Sequence, residues 1–251
     1  MRSLLLIVLL LPAACAGGGQ SADGKSDAPP LRDHAPSLRV GEAALDSGVP
    51  QVALAIAQRR LAGDRDDVGA LLMQGKALGE LGQPDKAAAS FRRAAALAPR
   101  RAEAHFGLGR GLLAAGQAAE AEAEFRRTLE IDGGDVRCLN DLGIALDLQE
   151  KHAPAQAAYR QALAAAPDLD AARVNLGLSL ALAGDPRAAV EILRPLAASP
   201  DAPRRVRHDL AAALAIAGDR PGAEGLLRQD LTPEQTAMAL NAYAELQAPS
   251  R

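Results

Sequence analysis

The sequence predicts an all-α solenoid, a right-handed superhelix of about six helix–turn–helix repeats closed by a C-terminal capping helix. Three observations predict it. Glycine recurs every 34 residues as Gly41, Gly75, Gly109, Gly143 and Gly177, with Ala211 in the sixth place. Alanine keeps the same step at Ala53, Ala87, Ala121, Ala155, Ala189 and Ala223. A second glycine series, Gly48, Gly82, Gly116, Gly184 and Gly218, skips only Glu150. A fixed period in this range marks stacked repeats, each of which buries its apolar face only against its neighbours.

Counting each repeat from His34, Val68, Ala102, Val136, Asp170 and Arg204 gives the positions their physical roles. Small residues at positions 8 and 20 let two antiparallel helices approach closely. Position 11 is Leu78, Leu112, Leu146, Leu180 and Leu214, and position 24 is Phe91, Phe125, Tyr159, Leu193 and Leu227. These side chains fill the gap between the helices. The glycine at position 15 ends the first helix, helix A, where a left-handed residue costs least. Helix A is expected over positions 1 to 14 and helix B over 17 to 30. Pro84 and Pro186 fall in the first turn of helix B, where a missing amide is harmless, and Pro154 and Pro221 sit nearby. In spacing and residue type the repeat resembles the tetratricopeptide repeat from about His34 to the chain end. The first repeat is the weakest, with Ala57 at the bulky position.

After the sixth repeat, Leu231-Thr232-Pro233-Glu234-Gln235 reads as a new helix start. Thr232 is the N-cap, Pro233 the first helical residue and Gln235 the partner in a capping box. This helix, within residues 232–251, is expected to cover the last apolar face.

The first 14 residues read as a secretory signal peptide, with Arg2 followed by the apolar run Leu4 to Leu11, far short of a bilayer span. Cys15 directly after Ala14 resembles a lipoprotein cleavage site, although Pro12 stands where leucine is usual. The alternative is ordinary signal-peptidase cleavage at Ala14-Cys15-Ala16. Residues 15–33 form the lipidated cysteine and a Gly-, Ser-, Asp- and Pro-rich flexible tether with a reach of roughly 25 Å. The repeats then occupy 34–231. Cys138 is left without a partner and is expected to be a small buried thiol.

Net charge is −3 and becomes one unit more negative without Arg2. Three phenylalanines and two tyrosines, without tryptophan, make no base-stacking platform, so nucleic acid is not an expected ligand. Gly107-Leu108-Gly109-Arg110-Gly111 falls inside helix A and follows no strand, unlike a phosphate loop. Asp132-Gly133-Gly134-Asp135 lacks the spaced acids of a calcium loop. The histidines His34, His105, His152 and His208 lie in separate repeats. No catalytic residue, metal ligand or cofactor is expected, and the chain reads as non-enzymatic.

The expected function is holding protein or peptide partners. In the tetratricopeptide family the inner groove is lined by helix A, and carrying those positions over gives Leu72, Lys76, Phe106, Arg110 and Leu113 in the second and third repeats. Asn140, Ile144, Asp147 and Leu148 follow in the fourth, Val174, Leu178 and Leu182 in the fifth, and Ile216 in the sixth. Asn175 matches an asparagine that in the family bonds a ligand backbone. So long a run of exposed apolar side chains would need a docked helix or extended peptide to cover it. Packing between neighbouring A helices is the competing reading.

Residues 136–247 support a narrower resemblance. Asn140-Asp141-Leu142-Gly143-Ile144-Ala145-Leu146-Asp147, Asn175-Leu176-Gly177-Leu178, Leu193-Arg194-Pro195-Leu196 and Pro203-Arg204-Arg205-Val206-Arg207 are similar to the TadD family. These are tetratricopeptide lipoproteins of the tight-adherence (Flp) pilus assembly system. The resemblance implies an outer-membrane lipoprotein facing the periplasm of a Gram-negative bacterium. Its implied partners are the pilus secretin or other assembly components. The alternative is an adaptor lipoprotein of another envelope system, such as polysaccharide export or cell-wall assembly.

Overall fold

Residues 37–199 and 201–247 are described by a computed structural model. The expected signal peptide, Cys15 and tether lie outside the described residues, which contain thirteen α-helices and no strand. They are α1 (Leu38–Asp46), α2 (Pro50–Gly63), α3 (Val68–Glu80), α4 (Pro84–Leu97), α5 (Ala102–Ala114), α6 (Ala118–Ile131) and α7 (Val136–Asp147). The rest are α8 (His152–Ala165), α9 (Asp170–Leu182), α10 (Pro186–Ala197), α11 (Arg204–Ile216), α12 (Arg220–Leu227) and α13 (Pro233–Gln247). Odd-numbered helices from α3 to α11 begin at position 1 of their repeats, and even-numbered ones from α2 to α12 at position 17. The sequence period is thus a period of helix starts.

The turns between A and B helices repeat one geometry. In every repeat the amide at position 16 donates to the carbonyl at position 11, as in Gln83 to Leu78 at 2.9 Å and Asp219 to Leu214 at 2.8 Å. This Schellman closure needs a left-handed residue at position 15. Gly82 (φ 69°) and Gly116 (φ 78°) supply it without a Cβ penalty. Glu150 adopts the same conformation at φ 61° and is the one non-glycine with positive φ among the described residues. The turn survives the missing glycine because its two neighbours are tied down, as described below.

The described residues fall into two compact units, 37–120 and 121–247. In the first, the small positions act as the sequence implies. A Cβ added at Gly75 would meet the Phe91 ring at 2.7 Å, and one at Gly111 would meet the Ala88 backbone nitrogen at 3.0 Å. Gly107 presses on the same Phe91 ring from the following A helix. Phe91 is therefore clamped between two helices that approach only because they carry no side chain there. A cluster of Ala53, Ile56, Ala57, Met73 and Ala77 closes the first hairpin, so Ala57 takes the buried place of a bulky residue.

In the second unit Gly143 packs against Tyr159, and Gly177 faces Leu193 Cγ at 2.7 Å for an added Cβ. Cys138 is buried, and its thiol donates to the Phe125 carbonyl at 3.3 Å. Burial pushes that thiol up to about 12, so it is not a reactive thiolate. Helix α12 is shorter than the expected positions 17 to 30. It stops at Leu227, because Asp230 is captured by arginines of α11 and turns the chain toward α13. There the capping box forms as read: Gln235 N donates to Thr232 Oγ1 at 3.3 Å, and Thr232 N to Gln235 Oε1 at 3.1 Å. No described helix is long and apolar enough to cross a membrane.

Candidate partner-binding surface

In the first unit, the A helices α3 and α5 lie side by side and carry five of the groove residues. Leu72 is only 3% exposed, which removes it from any binding surface. Lys76 stays exposed and pairs with Glu103 of the next A helix at 2.6 Å. Burial pulls Glu103 upward, but Lys76 and Arg101 outweigh it and hold its carboxyl below the usual carboxylate range. Phe106 and Leu113 are half-buried, and the Arg110 guanidinium lies 5.9 Å above the Phe106 ring, one helical turn away. The face thus offers an aromatic and a leucine edge beneath a row of charges.

In the second unit, Val174 and Leu178 are 7% and 6% exposed, buried as α9 packs between α7 and α11. The expected continuous run of exposed apolar groups is therefore broken. Small residues such as Ala145, Ala181 and Ala213 let neighbouring A helices close over the larger side chains between them. Ile144, Leu148, Leu182 and Ile216 remain half-exposed.

Polar groups, by contrast, run across this face. Asn175 Nδ2 donates to Asn140 Oδ1 at 2.9 Å, and Arg205 Nη2 donates to Asn175 Oδ1 at 3.3 Å. Asn140 Nδ2 in turn donates to Asp141 Oδ1 at 3.1 Å. One line of hydrogen bonds thereby joins three successive A helices. Asn140 and Asn175 are buried within it, so they brace the face while Arg205 stands at its surface.

Asp147 is a second junction. Its Oδ1 accepts from Ser179 Oγ at 2.7 Å and lies 2.8 Å from His152 Nδ1, while Oδ2 accepts from the Tyr159 hydroxyl at 3.0 Å. Burial, with Asp147 alongside, pushes the Tyr159 phenol well above its ordinary range, so it stays a donor. Asp147 is therefore a structural acceptor joining α7, α8 and α9, and its oxygens are engaged. Beside it, buried Glu122 receives Lys151 Nζ at 2.9 Å and Gln149 Nε2 at 2.7 Å, and also pairs with Arg126. Burial raises the Glu122 carboxyl, but these partners prevail and hold it below its ordinary range. Gln149 and Lys151 flank Glu150, and this anchorage fixes its turn.

Sequence reasoning missed Ser179, His152, Tyr159, Glu122 and Arg205 as members of these networks. Ser179, polar at position 10 where a small or apolar residue suffices, was the available signal; His152, Tyr159, Glu122 and Arg205, at positions 17, 24, 21 and 2, carried none. Asp135 caps α7 by accepting from Arg137 N at 2.9 Å and Cys138 N at 3.2 Å, so the Asp132–Asp135 turn is a helix start. No grouping of metal-binding side chains occurs among the described residues.

Paired antiparallel helices, a small residue at each crossing, a bulky one at position 24 and a Schellman turn at position 15 together define the repeat. Profiles of the tetratricopeptide repeat match residues 72–136, 171–195 and 204–229. The fold is a tetratricopeptide-repeat fold. Solved structures agree. PilF of Pseudomonas aeruginosa superimposes with a TM-score of 0.65 at 17% identity, covering 85% of this chain and 96% of PilF. MamA of Desulfovibrio magneticus RS-1 gives 0.58 at 24% identity over 62% and 89% of the two chains. YrrB, described as a tetratricopeptide protein with an unusual peptide-binding site, gives 0.58 at 19% over 75% and 97%. No curated protein matches the chain in sequence. No catalytic family is indicated, and tetratricopeptide proteins bind peptides or proteins.

Proposed function

We propose that this protein is a non-enzymatic scaffold that captures a protein partner on the helix-A face of its second unit. One observation supports this most directly: the Asn140–Asn175–Arg205 line. It presents a braced guanidinium on A helices that also carry half-exposed Ile144, Leu148 and Leu182, a polar and apolar combination suited to a peptide. The YrrB likeness supports a peptide ligand.

The finer reading joins this surface to the chain's N-terminal sequence. Lipidated Cys15 and the tether of residues 15–33 would hold the repeats at the periplasmic side of the outer membrane. The TadD resemblance over residues 136–247 then supports a role in tight-adherence (Flp) pilus assembly, with the secretin or another assembly component as partner. Site-specific photocrosslinking from position 182 in the native envelope, followed by identification of the captured protein, tests the reading. Capture of a secretin or neighbouring assembly protein is expected, with capture lost in Arg205→Ala. Capture that is unchanged in Arg205→Ala removes this face from the function. The anchor is tested separately by Cys15→Ser, which should shift the protein from the membrane to the soluble fraction.

A further inference from the structure

Helix α13 packs on α11 and α12, and its entry turn and its packed seam are held very differently. At its N-terminal end, Asp230 is gripped by Arg207 through Nε at 3.0 Å and Nη2 at 2.7 Å. Arg204 adds an ion pair at 3.2 Å and donates to the Asp230 carbonyl at 2.7 Å. The Thr232–Gln235 capping box follows at once. This turn is satisfied at every polar group named, and bidentate arginine contacts are among the stronger hydrogen bonds a protein makes.

Along the seam beyond it the situation reverses. Leu240 and Tyr243 are buried, yet Asp209 Oδ2 on α11 and Thr236 Oγ1 on α13 are also buried without a hydrogen-bond partner. Back at the turn, His208 Nε2 lies within ion-pair reach of Asp230 at 3.5 Å, without a well-formed hydrogen bond. Asp209 Oδ2 and Thr236 Oγ1 thus give up hydration without a hydrogen bond in return. The seam therefore resists its own closure.

We propose that α13 is a hinged cap, fixed at the Asp230–Thr232 turn, whose seating on α11 is governed by the charge on Asp209. The groups around that carboxylate are few. On its own helix Arg205 lies 3.7 Å away and shares its guanidinium with Asn175 of α9. The covering helix contributes Tyr243 and no cation, its charged residues being Glu234 and Glu245. Arg187, Glu191 and Arg194 of α10 line a cleft with Leu214 and Ala217 at the opposite end of α11. Glu224, midway along α12, is engaged by Arg228, and Arg220 is exposed. Only Arg205 offsets the cost of burying the charge.

Burial raises the Asp209 carboxyl from 3.8 to about 6, with Arg205 opposing, and burial, with Asp209 nearby, raises the Tyr243 phenol to about 12. The seated cap thus binds the proton more tightly than the open one. Seating is strongest below the ordinary carboxylate pKa and weakens as pH rises through about 6. From pH 5 to pH 7.5 Asp209 alone would lower the closing equilibrium about tenfold, and His208, whose imidazole burial holds below its usual range, opposes part of that fall.

Hydrogen exchange of the full chain, corrected for intrinsic rates at each pH, reads this directly. Protection of residues 233–247 should drop from pH 5 to pH 7.5, by at most about tenfold. Residues 136–147 should hold theirs, and Asp209→Asn should keep the cap protected at both values. The wild-type series alone is decisive should that variant fold poorly. A pH-independent cap, or an equal drop in Asp209→Asn, overturns the proposal.

Discussion

The two units are built on one repeat but close their A helices by different means. In residues 37–120, position 6 is exposed Arg39, then Met73 and Gly107, and the helices meet mainly through apolar contact and absent side chains. The buried polar residues there are Ser90 and His105. In residues 121–247, position 6 is Asp141, Asn175 and Asp209, and position 10 includes Ser179. Asn175, Ser179 and Asp209 are buried, as are Glu122, Thr128, Asn140, Gln156 and Thr236. The comparison teaches that the same crossing distance can be kept by removing side chains or by wiring polar ones together. Only the second device buries hydrogen-bonded side chains between the A helices, and it is more vulnerable to loss of a single partner.

The largest effect should come where both units share one mechanism. Gly143→Leu drives a side chain into Tyr159, whose ring is already locked by its bond to Asp147. A cost of about 3 kcal/mol or more is expected, as overpacking a rigid site exceeds the ordinary range. Chemical denaturation measures it. An unchanged midpoint would remove Gly143 from the helix crossing.

Asp147→Ala comes next and sharpens the difference between units. It strands the Tyr159 and Ser179 hydroxyls, both buried, and frees His152. Two buried donors without acceptors cost about 1–3 kcal/mol each, so a loss of roughly 3 kcal/mol is expected. Asp147→Asn should recover part of it by keeping an acceptor. A loss below about 1 kcal/mol would show that the second unit, like the first, rests on apolar packing alone.

How much of this was legible in the sequence depends on which interaction was periodic. Helix starts, the small crossings at Gly75, Gly143 and Gly177, and the Thr232 cap follow from residues that recur or belong to a local motif. Backbone geometry alone dictates them. The Asp147 junction draws Ser179 from 32 residues away and His152 from five. No local rule joins those residues. The buried state of Leu72, Val174 and Leu178 was missed for a related reason. Counting positions assigns them to the inner face, but how deeply neighbouring A helices close over them depends on small residues one repeat away. The candidate groove was therefore readable as a face and not as a set of exposed side chains.

Glu150→Gly should act in the opposite direction. A non-glycine residue in the left-handed region costs roughly 1 kcal/mol, partly offset by the greater freedom glycine has when unfolded. With Gln149 and Lys151 still fixed on Glu122, the turn keeps its anchors. A gain of about 0.5–1 kcal/mol in thermal unfolding is expected. Destabilisation instead would mean that the Glu150 side chain itself supports the turn, and that the fourth repeat departs from the glycine pattern for a structural reason.

The smallest effect belongs to the first unit's own bridge between A helices, Lys76 to Glu103. Both side chains are well exposed, at 44% and 39%. Solvent screens the pair, and exposed bridges contribute about 0–1 kcal/mol. Lys76→Ala should therefore shift the unfolding midpoint by less than a third of the Asp147→Ala shift. Raising salt should shrink it further, whereas the buried Asp147 junction should respond little. Equal costs for the two substitutions would erase the distinction between a unit joined by packing and one joined by buried polar contacts.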